Sequence, residues 1–233
     1  MTGGGSVTEG GQWSVPEEGE GSRMTDNIKV YTQSSIRIGS RVGNIYLDPF
    51  QMKEAPHDAA YILITHDHYD HFSPEDIAKV GRSDTILIVP EKMEMKAHKA
   101  AGSVGRICTV KPGTYHALDG LELETVHAYN HVKPFHPKSA EWVGYILRLD
   151  GKRIYIAGDT DVTKESKQVQ CDIALVPIGG TYTMNAKKAA ELVNCIRPSV
   201  AIPTHYGSIV GKKEDAEVFR ENVKEPVRVE IML

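Results

Sequence analysis

Residues 66–71 read His66-Asp67-His68-Tyr69-Asp70-His71, which places three imidazoles and the carboxylate of Asp70 within one loop. Burying that much polar surface without partners is costly, so core filling is a poor explanation. Neutral imidazole and carboxylate are donors for a divalent cation such as zinc, manganese or iron. Asp159, in Gly158-Asp159-Thr160, and His205, in Thr204-His205-Tyr206-Gly207, add the same donor types far along the chain. Each is weak alone, since Gly-Asp-Thr is an ordinary turn and a lone histidine is usually hydrogen-bonded. Together with 66–71 they make a constellation. His57, His98 and His116 have no such companions and read as surface histidines.

The elements that must position these residues follow from the hydrophobic pattern. Short β segments at Ile28–Tyr31, Ser35–Ile38 and Asn44–Leu47, divided by Gly39 and Gly43, predict an antiparallel meander. Tyr61–Ile64 is a continuous apolar run, a strand buried on both faces that stops where the histidine cluster begins. Ser73-Pro74-Glu75-Asp76 supplies an N-cap, a proline at the first helical position and early acidic residues, so a helix follows the cluster. Strands at Thr85–Val89 and Ile107–Val110 flank a helix at Glu91–Ala101 that ends at Gly102. Strands Leu121–Val126, Val143–Leu149 and Arg153–Ala157 come next, the last two joined by the two-residue turn Asp150-Gly151. Cys171–Ile178 and Ser199–Pro203 read as buried strands, Ala186–Ile196 and Lys213–Val223 as helices, and Val227–Ile231 as a closing strand. His66, Asp159 and His205 thus each follow a buried strand, where loops from separate segments converge on sites.

These motifs, in this order and over most of residues 26–233, resemble the metallo-β-lactamase-fold superfamily of metal-dependent hydrolases. Ala128-Tyr129-Asn130, Phe135-His136-Pro137, Gly158-Asp159-Thr160-Asp161 and Pro177-Ile178-Gly179-Gly180 are similar to its small lactonase-like and phospholipase-D-like branch. The resemblance implies an α/β fold, a four-layer αββα sandwich with mixed sheets and outer helices, in one domain over 24–233. It implies one or two divalent cations, zinc first and manganese or iron as alternatives. His66 and His68 would hold the first cation, Asp70, His71 and His205 the second, and Asp159 would bridge them. The family's third histidine for the first cation falls near Asn130, with His127 and His131 on either side, and the choice among the three stays open.

A cation centre of this kind makes hydroxide available near neutral pH. Asp70 would orient the attacking water, and Tyr182 or His136 would protonate the leaving group. Lys133, His136 and Lys138 form a cationic group suited to an anionic substrate. The expected activity is metal-dependent hydrolysis of a small ester-like bond: lactone, phosphodiester or a relative. The alternatives are an iron-dependent redox enzyme on the same fold, a nuclease, or a binding protein that retains the fold.

Composition narrows the rest. The formal charge of −4 over 233 residues gives no broad attraction to nucleic acid or to anionic lipid. The substrate is therefore expected to be a small molecule, with neither nucleic acid nor membrane as partner; a homo-oligomer is compatible with this reading. Cys108, Cys171 and Cys195 are odd in number and widely spaced, which suits reduced thiols in the cytoplasm. Residues 1–23 are rich in Gly, Glu and Ser and read as a disordered tail or an artificial leader, with Met24 as the natural start.

Overall fold

Short apolar segments broken by turns build the first sheet. In the computed structural model, which describes residues 25–100, 102 and 104–233, the expected meander is formed by β1 (Ile28–Thr32), β2 (Ser35–Ser40) and β3 (Gly43–Leu47). The expected tail at 1–23 and the expected start at Met24 lie outside the described residues. β4 (Ala59–Leu63), β5 (Ile86–Pro90) and β6 (Arg106–Val110) add in parallel, with α1 (Pro74–Val80) and α2 (Glu94–Ala100) in the crossovers. Ser73 caps α1 by accepting from the Asp76 amide. The Asp76 carboxylate in turn accepts from the amides of Gln51 and Met52, which fixes the segment after β3. The stretch read as one helix from Glu91 begins instead as a 3₁₀ turn, Glu91–Met93, that runs into α2.

The second sheet contains β7 (Tyr115–Leu118), β8 (Leu121–His127), β9 (Val143–Leu149), β10 (Lys152–Ile156), β11 (Ile173–Pro177), β12 (Val200–Thr204) and β13 (Arg228–Val229), in the order β13-β12-β11-β10-β9-β8-β7. β7 is a short edge strand that the hydrophobic pattern does not predict, because its residues are only half-buried or exposed. Asp150 and Gly151 take positive φ values of 48° and 76°, the backbone that a two-residue hairpin turn demands. α3 (Ala186–Ile196) and α4 (Asp215–Asn222) pack on the outer face of this sheet.

Burial explains why strands such as β5 lack alternation. Ile86 and Ile88 enter the core between the two sheets, where they meet Leu123, Leu147 and Ile156, while Leu87 and Val89 pack outward with Ile77 and Val80 of α1. On the opposite face Ala174 and Val176 meet Ala189, Leu192 and Val193 of α3 and Phe219 of α4. The layers are therefore helix, sheet, sheet, helix, and each large buried aliphatic side chain contributes about 1.5–3 kcal/mol. No helix among the described residues is long and apolar enough to cross a membrane.

Candidate metal centre

Three strand ends supply the centre. β4 ends at Leu63 and its extension carries His66, β10 ends at Ile156 before Asp159, and β12 ends at Thr204 immediately before His205. The two sheets are tied at this edge, since the Val143 amide donates to the Thr65 carbonyl and the Tyr145 hydroxyl donates to the Ile64 carbonyl at 2.7 Å. His205 takes a left-handed φ of 56° and Gly158 a φ of 63°; both turns swing the chain back over the sheet edge. A Cβ on Gly158 would lie 3.1 Å from the Val143 carbonyl, so glycine lets the loop bearing Asp159 sit close.

Asp159 occupies the middle of the cluster. Its Oδ2 lies 3.3 Å from His136 Nε2, 3.3 Å from His205 Nε2 and 3.9 Å from His66 Nε2, and its Oδ1 lies 3.5 Å from His71 Nε2. Asp70 Oδ2 is 3.4 Å from His205 Nε2 and 3.6 Å from His71 Nε2. Donor atoms fall within 4.8 Å of one another in three groups: His66, His68 and His136; His66, His71 and Asp159; Asp70, His71 and His205. His71 Nε2, Asp159 Oδ1 and His205 Nε2 are buried without a hydrogen-bond partner. Buried polar atoms normally have partners, so these convergent, unpartnered donors are what a pair of divalent cations would fit.

The structure brings His66, His68, Asp70, His71, Asp159 and His205 together. The histidine it groups with His66 and His68 is His136, not His127 or His131, while Asn130 lies beside His136 with its Oδ1 buried and unpartnered. His127 Nε2 is 3.0 Å from the Lys138 carbonyl, and His131 Nε2 is 3.2 Å from the Val162 carbonyl, so both rings are engaged away from the cluster. Asn130 donates through Nδ2 to the carbonyls of Phe135 and Tyr182, and its amide nitrogen donates to the His136 carbonyl at 2.9 Å. It closes the loop that delivers His136, which is 1% exposed with a φ of 59°. The Phe-His-Pro motif marked the residue, but the distance from the strand end hid its role.

The expected cationic group does not form. His136 is inside the cluster, Lys133 bonds to Asp161 and to the Thr183 carbonyl, and Lys138 pairs with Glu165 at 2.8 Å while lying over the Tyr129 ring. Each lysine is neutralised by a nearer carboxylate. His136 is likewise no free proton donor, because its Nε2 faces His66 and Asp159. Tyr182 is half-buried, its ring edge-on to Phe135 at 4.8 Å.

Sequence reasoning missed two partners. Asp48 is 1% exposed, and its Oδ2 lies 2.7 Å from His71 Nδ1 while the hydroxyl and amide of Thr65 both donate to its carboxylate. It follows β3 just as His66 follows β4, so the strand-end address was the available signal. Trp142 packs against the rings of His66, His68 and His136 at 4.9, 5.0 and 5.3 Å and walls one side of the centre.

Electrostatics divide the histidines. Burial pushes the His66 imidazole well below its usual range, and the neighbouring His71 adds to the effect. His68 is lowered mainly by burial as well. Burial opposes protonation of His71, but the carboxylates of Asp159 and Asp48 outweigh it and hold that ring well above the usual range. Asp159 is driven down against its burial by His205 and His71, and Asp70 against its own burial by the nearby rings of His205 and His71. The cluster therefore stores negative charge around His71, the arrangement a cation would replace.

Known proteins share this frame. The family model described as a beta-lactamase superfamily domain matches residues 27–205. A metal-dependent hydrolase of Pyrobaculum islandicum is 31% identical over 187 residues, 74% of this chain and 76% of the relative. Another, from Symbiobacterium thermophilum, is 29% identical over 214 residues, 85% of this chain and 92% of the relative. A crystal structure from Parabacteroides distasonis, described as a candidate metal-dependent hydrolase, superposes with a TM-score of 0.73 at 30% identity, covering 88% of this chain and 91% of the other. With histidine and aspartate donors gathered at strand ends, a two-sheet sandwich and a family match across most of its length, the chain belongs to the beta-lactamase superfamily and has the metallo-β-lactamase fold.

Proposed function

We propose that the protein is a metal-dependent hydrolase that cleaves a small ester-like bond, a lactone, phosphodiester or relative. The observation that carries the reading is Asp159, whose two carboxylate oxygens face His66, His136 and His205 on one side and His71 on the other. His66, His68 and His136 would hold one cation and Asp70, His71 and His205 the other, with Asp159 between them. Zinc suits the imidazole and carboxylate donors, with manganese and iron as the alternatives that elemental analysis separates. Cations there would lower the pKa of water toward neutrality and polarise the bond under attack.

The chain's own groups do the rest. The Asp70 side chain is 10% exposed where those of His71 and Asp159 are 0% and 2%, so Asp70 is the carboxylate at the mouth. Kept ionised by the nearby rings of His205 and His71, it accepts a hydrogen bond from the attacking water and aims it. Tyr182, beside Phe135 at the edge of the loop that carries His136, is the proposed proton donor to the leaving group. Trp142 keeps bulk water from the first histidine group. With Lys133 and Lys138 committed to carboxylates, a neutral lactone or ester is favoured over the anionic phosphodiester among these substrates. The three free thiols suit a cytoplasmic location.

The test is turnover of chromogenic esters, lactones and a phosphodiester by zinc-loaded protein, before and after chelation. Turnover that disappears with chelator and returns with metal supports the proposal. A metal-loaded protein inert across the panel, or one purified with iron that consumes oxygen, overturns it.

A further inference from the structure

Among the described residues, buried side-chain polar atoms without a hydrogen-bond partner fall on Gln33, His71, Asn130, Asp159, His205 and Tyr206. They are not scattered. His71, Asp159 and His205 face the proposed cations, Asn130 adjoins His136 and Tyr206 follows His205. Gln33 alone comes from a segment with no ligand, the tip of the hairpin between β1 and β2, yet it is fully buried with both Oε1 and Nε2 unpartnered. It is joined to the centre through its main chain, because the His205 amide donates to the Gln33 carbonyl at 2.9 Å. Both residues take left-handed backbones, φ 48° and 56°, so this contact links two constrained turns.

The two histidines that face Asp70 and Asp159 are supported unequally. His71 Nδ1 lies against Asp48, while His205 Nδ1 is buried and bonds to nothing among the described residues. A ring that offers Nε2 to a cation must carry its proton on Nδ1, and a buried N–H there requires an acceptor. Nδ1 is the ring nitrogen nearest its own main chain, the same main chain that Gln33 already grips. Gly179 also adjoins it, since a Cβ there would lie 3.3 Å from Nδ1, and a glycine offers no acceptor side chain.

We propose that Gln33 is a positioning residue for His205: in the loaded centre its amide oxygen accepts the Nδ1 proton and so leaves Nε2 free toward Asp70 and Asp159. A neutral amide serves this ring where a carboxylate serves His71, which fixes the tautomer of His205 without adding another negative charge. The inference rests on the metal-centre reading.

The test is zinc affinity by chelator competition for wild type, Gln33→Met and Gln33→Glu, with melting of each metal-free protein alongside. Gln33→Met should bind zinc about 10- to 100-fold more weakly, the usual effect of removing an outer partner. Its metal-free melting temperature should be unchanged or higher, because an unpaired buried amide has been removed. Gln33→Glu, which keeps an acceptor, should recover most of the affinity. Wild-type affinity in Gln33→Met, or a loss that appears equally in the metal-free melt, overturns the proposal. If Gln33→Met does not fold, the zinc-loaded wild-type crystal structure decides: Oε1 of Gln33 beyond hydrogen-bond distance of His205 Nδ1 overturns it. A wild type that binds none of zinc, manganese and iron overturns the metal centre itself, whereas normal wild-type binding with an indifferent Gln33→Met overturns only the role of Gln33.

Discussion

His71 Nδ1 lies 2.7 Å from Asp48 Oδ2, with both side chains essentially excluded from solvent. The pair leaves Nε2 as the only ring atom of His71 directed at Asp70 and Asp159. Carboxylate partners of this kind set ring orientation and basicity at metal sites.

Asp48→Asn should therefore weaken metal binding by about 10- to 100-fold while preserving shape. Breaking a buried pair also costs about 3–5 kcal/mol of stability, which a denaturant melt of the metal-free protein reads separately. Unchanged affinity would show that Asp48 is structural only.

The correction at the third histidine gives a paired experiment. His136→Ala should lower the zinc content from two equivalents to one and abolish turnover, because it removes a donor from the group of His66 and His68. His127→Ala removes a ring engaged with the Lys138 carbonyl and should leave metal content and activity near wild type. The opposite ranking would restore His127 as the ligand.

Stability of the metal-free protein should pass through a maximum near pH 6.5, about the unperturbed histidine value. His66 is depressed, so below that pH the unfolded chain binds the proton that the folded one refuses, and stability falls as pH drops. His71 is raised, so above that pH the folded chain retains a proton the unfolded one has lost, and stability falls as pH rises toward its folded value. Zinc bound as proposed would take the lone pairs of both rings and should flatten the profile between pH 6 and 8. Melts across pH with and without zinc check both limbs; a metal-free protein that gains stability steadily through pH 8 contradicts the His71 assignment.

Gly179 bears on the same ring as Gln33. A Cβ there would come within 2.4 Å of the His205 carbonyl, a contact that backbone cannot relieve. Gly179→Ala should cost about 1–3 kcal/mol through overpacking and displace His205, with a loss of turnover larger than the loss of stability explains. Gly180, whose added Cβ would meet only Asn185 at 3.4 Å, should suffer mainly from its φ of 82°. Comparison of the two alanine variants in melting and turnover isolates the contact.

The sequence alone determined the chemistry of the cluster at 66–71 and the strands that present it. Periodicity is local, so runs such as Ile86–Pro90 announce burial on both faces, and a donor-rich loop announces itself by residue type. It also determined that Asp159 and His205 follow strands, hence that they lie along one sheet edge. Only the tertiary structure decided which histidine completes the first group, because the loop from Asn130 to His136 folds on bonds to Tyr182 and within itself that no spacing rule encodes. The same holds for Asp48 and Trp142, ordinary residues in sequence: Asp48 meets His71 because β3 and β4 pair side by side, and Trp142, just before β9 of the other sheet, meets His66 when the two sheets close. Lys133 and Lys138 show the converse: neighbours in sequence with a shared charge, they are parted by Asp161 and Glu165, since each cation takes the nearest carboxylate in space rather than along the chain.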